Sequence, residues 1–159
     1  FWILSVPCIS FEQREIICKL WNNEYPKKLA HENIMRFDEY LNSLTDTEHY
    51  LLFDESGKIN GWGIKFIRDN ETWFAIIIDS KVHGKGLGTL LLDKLKKANK
   101  ELNGWVIDHE KDVKQNGEQY RSPIEFYKKN EFIILEDSRI ENEKIAAIKI
   151  NWKSNNSSR

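Results

Sequence analysis

The chain is poor in cysteine and proline, and its cysteines show no paired spacing. It has two cysteines and three prolines among 159 residues, and Cys8 and Cys18 are not arranged as C-x-x-C. A zinc site or a disulfide framework is therefore not indicated, and a reducing, cytoplasmic location is the expectation. We predict no metal cofactor.

Long apolar runs and an excess of one charge are also missing. Runs such as residues 75–78 and 90–92 are far shorter than the roughly 20 residues that cross a bilayer. The 24 Lys+Arg against 25 Asp+Glu give a formal net charge of −1, which does not favour binding nucleic acid by bulk electrostatics. We expect neither a membrane nor a nucleic-acid partner.

No linker or internal repeat divides the chain. Its length suits one domain, because domains commonly have about 100–200 residues. We predict a single domain over residues 1–153, followed by a polar tail over residues 154–159. The sequence does not fix the oligomeric state, and a homodimer is compatible with it.

Hydrophobic periodicity predicts an α/β protein with a mixed sheet, in the order β-α-α-β-β-β-α-β-α-β-β. Ser10 and Gln13 form the pattern of a capping box at the first helix. The other predicted helices cover residues 33–44, 87–102 and 123–129. The predicted strands cover residues 1–8, 49–53, 59–68, 72–79, 105–109, 132–136 and 144–152.

The middle strands indicate an antiparallel meander with a buried strand at its end. Turn residues at 54–58 and at Asp69-Asn70 separate these strands. Residues 74–78 are apolar at consecutive positions, which predicts a central strand that is buried on both faces.

The most informative segment is a glycine turn between this strand and the next helix, Val82-His83-Gly84-Lys85-Gly86-Leu87-Gly88-Thr89. Alternating glycines let a ligand approach the backbone closely. The first N–H groups of a helix lack internal partners and favour anions. The segment therefore predicts a phosphate site, and a plain β-α turn is the structural alternative.

Two common phosphate motifs do not match. A Walker loop needs Lys after its last glycine, but Thr89 follows Gly88. A dinucleotide fingerprint needs a third glycine where Thr89 stands, although Asp108 lies about 20 residues further on. The antiparallel meander also does not suit a doubly wound sheet.

The segment instead resembles the acyl-CoA signature of the GNAT superfamily of N-acyltransferases, Q/R-x-x-G-x-G/A. His83 stands at the Q/R position, and Gly86 and Gly88 at the glycine positions. A second family pattern, an aromatic-Tyr pair before Gly-Phe, resembles residues 126–132, where Glu131 replaces the glycine. We expect the preceding Asn130 to adopt the left-handed conformation there.

The resemblance implies that the chain binds acetyl-CoA or a similar acyl-CoA. The pyrophosphate would contact the main-chain N–H groups of Gly84, Lys85, Gly86, Leu87, Gly88 and Thr89, and the His83 side chain stands at the position of the family's side-chain contact. Pantetheine would pair with main-chain groups near Ile76 and Ile78, beside a splayed neighbouring strand.

The resemblance also implies acetyl transfer to a primary amine of a small molecule or a protein. Tyr127 stands at the position of the family's general acid, and a role in core packing beside Phe126 is the alternative. Asp108, His109 and Glu110 lie at the C-terminal end of a predicted strand beside the cleft and are candidates for the general base, although a solvated strand end is equally compatible. For the charged residues 110–121 an exposed loop is the expectation, and a lid or acceptor wall is the alternative.

Two other functions stay open at this point. One is a catalytically silent acyl-CoA sensor or interaction module, and the other is a nucleotide-phosphate binder with different chemistry. The sequence does not identify the acceptor amine.

Overall fold

The computed structural model of the protein describes residues 1–155. The elements occur in the order predicted from the sequence. The helices are α1 (Phe11–Glu24), α2 (Ile34–Asn42), α3 (Leu87–Ala98) and α4 (Ile124–Lys129). The strands are β1 (Trp2–Val6), β2 (Thr45–Phe53), β3 (Ile59–Arg68), β4 (Glu71–Ile78), β5 (Glu101–Val106), β6 (Ile133–Glu141) and β7 (Ala146–Lys153).

The seven strands form one mixed sheet in the order β1-β2-β3-β4-β5-β7-β6. All neighbours are antiparallel except β4 and β5, which are parallel. The prediction that β4 is central is therefore confirmed. Parallel neighbours need a crossover, and α3 supplies it after the glycine turn.

Apolar clusters cover both faces of the sheet. One cluster joins α1 and α2 to Trp62, Trp73 and Ile77, and the other joins α3 and α4 to Phe74. Successive side chains of a strand point to opposite faces, so β4 contributes to both clusters. The prediction that residues 74–78 are buried on both faces is only partly right, because Ala75, Ile76 and Ile78 are half-buried.

Local sequence signals explain where several elements begin. Ser10 caps α1, and both reciprocal hydrogen bonds of the predicted capping box with Gln13 are present. Asp69 and Asn70 have φ angles of 52° and 63°, which are those of the tight turns that join antiparallel strands. This turn sets the register between β3 and β4.

The predicted helix over residues 87–102 is too long. α3 ends at Ala98, where the Asn99 side-chain amide donates to the Leu95 carbonyl at 2.9 Å. Leu102 is buried in β5 rather than on the helix. The strand predicted over residues 105–109 begins earlier and is β5, Glu101–Val106. Asn103-Gly104 lies inside this strand and not at the end of the preceding helix.

A second correction concerns the turn after α4. Asn130 has a φ angle of −97°, so it is not left-handed as expected. Glu131 adopts the left-handed conformation instead, with a φ angle of 71°. The chain therefore keeps the backbone of the family's glycine position despite a side chain that disfavours it.

The expected polar tail is described only in part. The Ser154 N–H donates to the Lys100 carbonyl at 2.8 Å, while residues 156–159 lie outside the described residues. Over the described part, none of the helices has the length and apolar character needed to cross a membrane.

Candidate active site

The glycine turn lies between β4 and α3 and presents bare backbone. Gly84 and Gly86 have φ angles of 82° and 74°, which L side chains rarely adopt. A Cβ atom added to either glycine would meet no atom of the protein within 4 Å. Both glycines line a cavity, so a ligand can reach their main chain directly.

The N-terminus of α3 has no side-chain cap. Gly86 is its N-cap residue and provides no capping side chain, and the first intrahelical bond shown runs from the Leu90 N–H to the Gly86 carbonyl at 3.1 Å. Gly88 packs closely on Phe126 of α4, whose ring would lie 3.1 Å from an added Cβ. The free N–H groups and the helix dipole together favour an anion at this end.

Asp79 has a structural partner of its own beside the glycine turn. Its carboxylate accepts from the Lys81 N–H at 2.9 Å and caps the short 3₁₀ turn Ser80–Val82. This hydrogen bond gives Asp79 a capping role at the start of the segment.

β4 is paired along one edge and open along the other. Its register with β3 runs without a break from Gly61↔Ile78 to Arg68↔Glu71. With β5 it shares a single register pair, Trp73↔Asn103. The two strands therefore diverge beyond Trp73, as the expectation of a splayed neighbour requires.

The main-chain groups of Ile76 and Ile78 point toward the open edge. The Asp79 N–H donates to the Asn60 carbonyl at 2.9 Å, in continuation of the β3–β4 ladder. Hydrogen-bonded pairs alternate along an antiparallel ladder, so Ile77 and Ala75 bond toward β3. Ile76 and Ile78 consequently direct their N–H and C=O groups toward β5.

A cavity of about 880 Å³ follows this open edge. One end reaches the glycine turn at Gly84, Gly86, Gly88 and Thr89. The other end is bounded by α1, α2 and the start of β4, with aromatic side chains that include Trp21, Tyr25, Tyr40, Trp73 and Trp105. The cavity therefore joins an anion site to an aromatic chamber through the gap between β4 and β5.

Residues 110–121 form part of the cavity wall rather than a wholly exposed loop. Lys114 and Tyr120 line the cavity, and the Lys27 N–H donates to the Val113 carbonyl at 2.8 Å. The Lys114 ammonium lies 3.3 Å from the Glu24 carboxylate, and both side chains are almost buried. The expectation of an exposed loop is thus wrong for this inner face.

A family comparison agrees with this geometry. The family model described as an acetyltransferase (GNAT) domain matches residues 46–134, more than half of the chain. The chain belongs to the GNAT acetyltransferase family. The matched region includes the open edge of β4, the glycine turn and Tyr127.

Solved structures share the GNAT fold with this chain. A crystal structure of an aminoglycoside 6'-N-acetyltransferase complexed with coenzyme A has a TM-score of 0.71 at 13% identity, covering 96% of this chain and 97% of that chain. Spermidine N-acetyltransferase from Vibrio cholerae, in complex with CoA and spermine, has a TM-score of 0.67 at 14% identity, with 95% of each chain covered. Phosphinothricin acetyltransferase from Sinorhizobium meliloti, in complex with AcCoA, has a TM-score of 0.65 at 10% identity, covering 95% and 88%. No curated protein matches this chain.

His83 stands where the GNAT signature usually has Arg or Gln, and its ring folds back on β4. The His83 Nε2 atom lies 2.8 Å from the Ile78 carbonyl oxygen. Lys85 is exposed, with its ammonium 5.6 Å from the Phe1 ring centroid, and the Leu87 side chain is buried in the core. Contacts of these residues with an anion remain predictions.

Tyr127 belongs to both the core and the cavity wall. Its ring packs against Phe74, Phe126 and Phe132, with centroids 5.1 to 5.8 Å apart, and it lines the cavity. Burial, with a smaller effect of Tyr120, raises the pKa of Tyr127 well above its usual value. The phenol is therefore protonated at neutral pH, as a general acid must be.

The three residues predicted as bases have other partners, and the Glu110 carboxylate accepts from the Ser122 N–H at 3.1 Å. Asp108 receives two hydrogen bonds from the Arg139 guanidinium, at 2.7 and 3.2 Å, which lower the pKa of its carboxyl. The His109 Nδ1 atom accepts from the Lys111 N–H at 3.1 Å. None of these side chains is among those that line the cavity, and their roles remain predictions.

The aromatic chamber is the part of the site that sequence reasoning missed. Trp21 looks like one more apolar residue of a helix face, and Tyr25 follows the end of α1. Tyr120 carried the clearest signal, because it is the one aromatic residue within the charged residues 110–121. Such a residue indicates an inward-facing anchor in an otherwise solvated segment.

Proposed function

We propose that this chain transfers the acetyl group of acetyl-CoA to a primary amine, by direct attack of the amine on the thioester. Family membership supports an acetyltransferase. The fold neighbours that contain CoA or AcCoA support the cosubstrate, and among the described residues no group of His, Cys, Asp or Glu could hold a metal ion.

The observation that carries the proposal is the continuity of the cavity. It runs from the uncapped start of α3 along the open edge of β4. The pyrophosphate would accept from the N–H groups of the glycine turn. Pantetheine would pair with the main-chain groups of Ile76 and with the Ile78 N–H, since an unpaired strand edge offers the hydrogen bonds of a missing strand. The Ile78 carbonyl is already in contact with His83 Nε2.

The thioester carbonyl would then lie close to β4. A main-chain N–H at the open edge, that of Ile76 or Ile78, would donate to the carbonyl oxygen and stabilise the negative charge that develops on it. As the C–S bond breaks, Tyr127 would give its proton to the thiolate. Burial raises the pKa of the phenol, and the same desolvation would raise the pKa of the departing thiol, which favours transfer of the proton to sulfur.

The attacking amine must lose a proton, and the base is proposed among Asp108, His109 and Glu110, as the sequence predicts. The Asp108 carboxylate is engaged by Arg139. If Asp108 is the base, Asp108→Asn removes the acidic limb of the kcat/KM pH profile. If its role is structural, Asp108→Asn instead lowers thermal stability and leaves that limb in place.

Calorimetric titration with acetyl-CoA tests the cosubstrate. We expect saturable binding, weakened in Gly86→Val, because a β-branched side chain is strained at a positive φ and blocks the backbone. Gly117→Val is the matched control, since Gly117 also has a positive φ angle, of 86°, but is not among the residues that line the cavity. No binding at millimolar acetyl-CoA would contradict the proposal.

Turnover separates the proposal from its alternatives. Release of free thiol on mixing acetyl-CoA with a panel of amines supports an acetyltransferase. Binding without transfer to any amine would instead indicate a silent acyl-CoA sensor. Displacement by ATP or NAD but not by CoA would indicate a nucleotide site.

A further inference from the structure

The acceptor end of the cavity is aromatic rather than acidic. Trp21, Tyr25, Tyr40, Trp73 and Trp105 line it, and the Trp73 and Trp105 rings are 5.5 Å apart between centroids. Aromatic rings give a large apolar contact area and attract a cation over their faces. Such a lining suits an amine that is attached to an apolar body.

The carboxylate of Glu24, which lines the cavity, already has two partners. Glu24 pairs with the Lys114 ammonium at 3.3 Å through one oxygen and accepts from the Ser80 N–H at 3.0 Å through the other. The two charged side chains are 11% and 12% exposed, so their charges cancel within a poorly solvated site. Glu24 is thus not free to bind an ammonium group of a substrate.

The remaining charges of the lining do not favour a polycation. Glu118 and Arg121, at the end of residues 110–121, are exposed and carry opposite charges. Arg68 places its guanidinium 5.0 Å from the Phe66 ring centroid and 5.6 Å from that of Trp73. Arg68 forms no ion pair with the described residues. Arg68 is exposed but contributes to the lining, so a second positive charge on an acceptor in the cavity would approach this unpaired cation.

Neutral phenols are the groups that remain for an amine. Tyr25, Tyr120 and Tyr127 act on one another electrostatically, and burial raises the pKa of each. They therefore stay uncharged, and a phenol oxygen accepts a hydrogen bond from an amine N–H. Such groups can orient one amine without a full negative charge.

From this lining we infer that the acceptor is a monoamine on an aromatic or otherwise apolar body, and not a polyamine or an aminoglycoside. This inference rests on the proposed acetyl transfer. It separates the chain from the neighbours named for aminoglycosides and spermidine, whose acceptors carry several positive charges.

The first test compares 2-phenylethylamine, hexylamine and spermidine as acceptors, by the release of CoA thiol from acetyl-CoA. We expect kcat/KM for 2-phenylethylamine to exceed that for spermidine by at least about tenfold, which corresponds to one aromatic contact and one avoided repulsion. Hexylamine is expected to fall between the two. Equal or better use of spermidine would overturn the inference while leaving the proposed function intact.

Variants then locate the selectivity. Arg68→Glu should raise kcat/KM for spermidine about tenfold above that of the uncharged control Arg68→Gln, with less than about a twofold difference for 2-phenylethylamine. Trp105→Leu should raise KM for 2-phenylethylamine about fivefold. A selectivity that neither variant changes would overturn the assignment of this chamber.

Calorimetry with acetyl-CoA on the same preparations separates the two levels of failure. If the wild-type protein does not bind acetyl-CoA, the proposed function itself is refuted. Intact binding without transfer to any of the three amines would refute the acceptor class inferred here.

Discussion

The two edges of β4 differ although they belong to one strand. Toward β3 the strand is paired over its whole length, from Glu71 to Ile78. Toward β5 it has one register pair, at Trp73. The tight turn at Asp69-Asn70 holds the first pair of strands together, whereas β5 arrives only after α3, so nothing forces it to follow β4 closely.

This difference shows how a sheet interior can hold a binding site. Unpaired N–H and C=O groups in a protein interior are costly, so they are nearly always satisfied by some partner. At the open edge of β4 the sheet does not supply these partners. A ligand with amide groups, such as pantetheine, can supply them. Comparable changes at the two edges should therefore affect function on one side and stability on the other.

The largest expected effect is on the open side, at Tyr127. Tyr127→Phe should lower kcat by about 100- to 1,000-fold, because the departing thiolate loses its proton donor. The dissociation constant of acetyl-CoA should stay the same, as measured by calorimetry. Tyr50→Phe is the matched control, since Tyr50 is a buried phenol of the same apolar cluster but does not line the cavity. Full turnover by Tyr127→Phe would exclude the acid role.

On the side of the sheet where β4 is paired, toward β3 and β2, the largest expected effect is on stability at low pH. His49 is buried and accepts from the Trp62 indole N–H at 3.0 Å, and burial lowers its pKa from 6.5 to about 4. The unfolded chain thus binds the proton first. The stabilisation is complete above about pH 6.5 and is lost as the pH falls through 4, amounting to about 3 kcal/mol.

Urea denaturation at pH 7 and pH 4 measures this effect. The free energy of unfolding of the wild-type protein should fall by about 3 kcal/mol more than that of His49→Gln over this range. The remaining titratable groups contribute equally in the two proteins, so the difference reports on His49. Equal pH dependence of the two proteins would show that His49 is not held neutral by the fold.

A smaller effect is expected where β5 faces the open edge. A Cβ atom added at Gly104 would lie 2.9 Å from the Phe74 ring, so Gly104→Ala should destabilise the protein by about 2 kcal/mol through overpacking. It should also change the affinity for acetyl-CoA, because Phe74 and Gly104 both line the cavity.

Gly57→Ala is the control for this substitution. Gly57 has a φ angle of 86° and open space around it, so alanine there costs about 1 kcal/mol of backbone strain. Its affinity for acetyl-CoA should be that of the wild type. A Gly104→Ala protein with unchanged affinity would show that the gap between β4 and β5 tolerates movement of Phe74.

The smallest effect is expected at Glu131, outside the comparison of the two edges. Its φ angle of 71° is unfavourable for a residue with a side chain, so Glu131→Gly should stabilise the protein by about 0.5–1 kcal/mol. Thermal denaturation measures the gain, and turnover should not change. A loss of stability would mean that the Glu131 side chain contributes more than its backbone strain costs.

The parts of the fold that depend on neighbouring residues could be predicted from the sequence. The capping box of Ser10 and Gln13, the turn at Asp69-Asn70 and the glycine turn are local patterns, and each occurs as expected. The boundary between α3 and β5 could not be predicted. Leu102 continues the helical periodicity of α3, and only its packing within the sheet shows that it belongs to a strand.

In the candidate site, too, the local features could be predicted and the contacts between distant residues could not. The glycine turn and the orientation of β4 follow from short segments and a family pattern. The wall of the cavity depends on contacts between distant residues, such as Lys114 with Glu24 and Arg139 with Asp108. No local pattern indicates such pairs, which is why Asp108 looked available as a base.

Amide hydrogen exchange measured by NMR, with and without saturating acetyl-CoA, tests the open edge most directly. The N–H groups of Ile76 and Ile78 should slow by at least about tenfold more than those of Ala75 and Ile77, whose bonds to β3 exist already. Uniform slowing of all four amides, or slowing confined to the β3 side, would contradict the account of acetyl-CoA bound along β4.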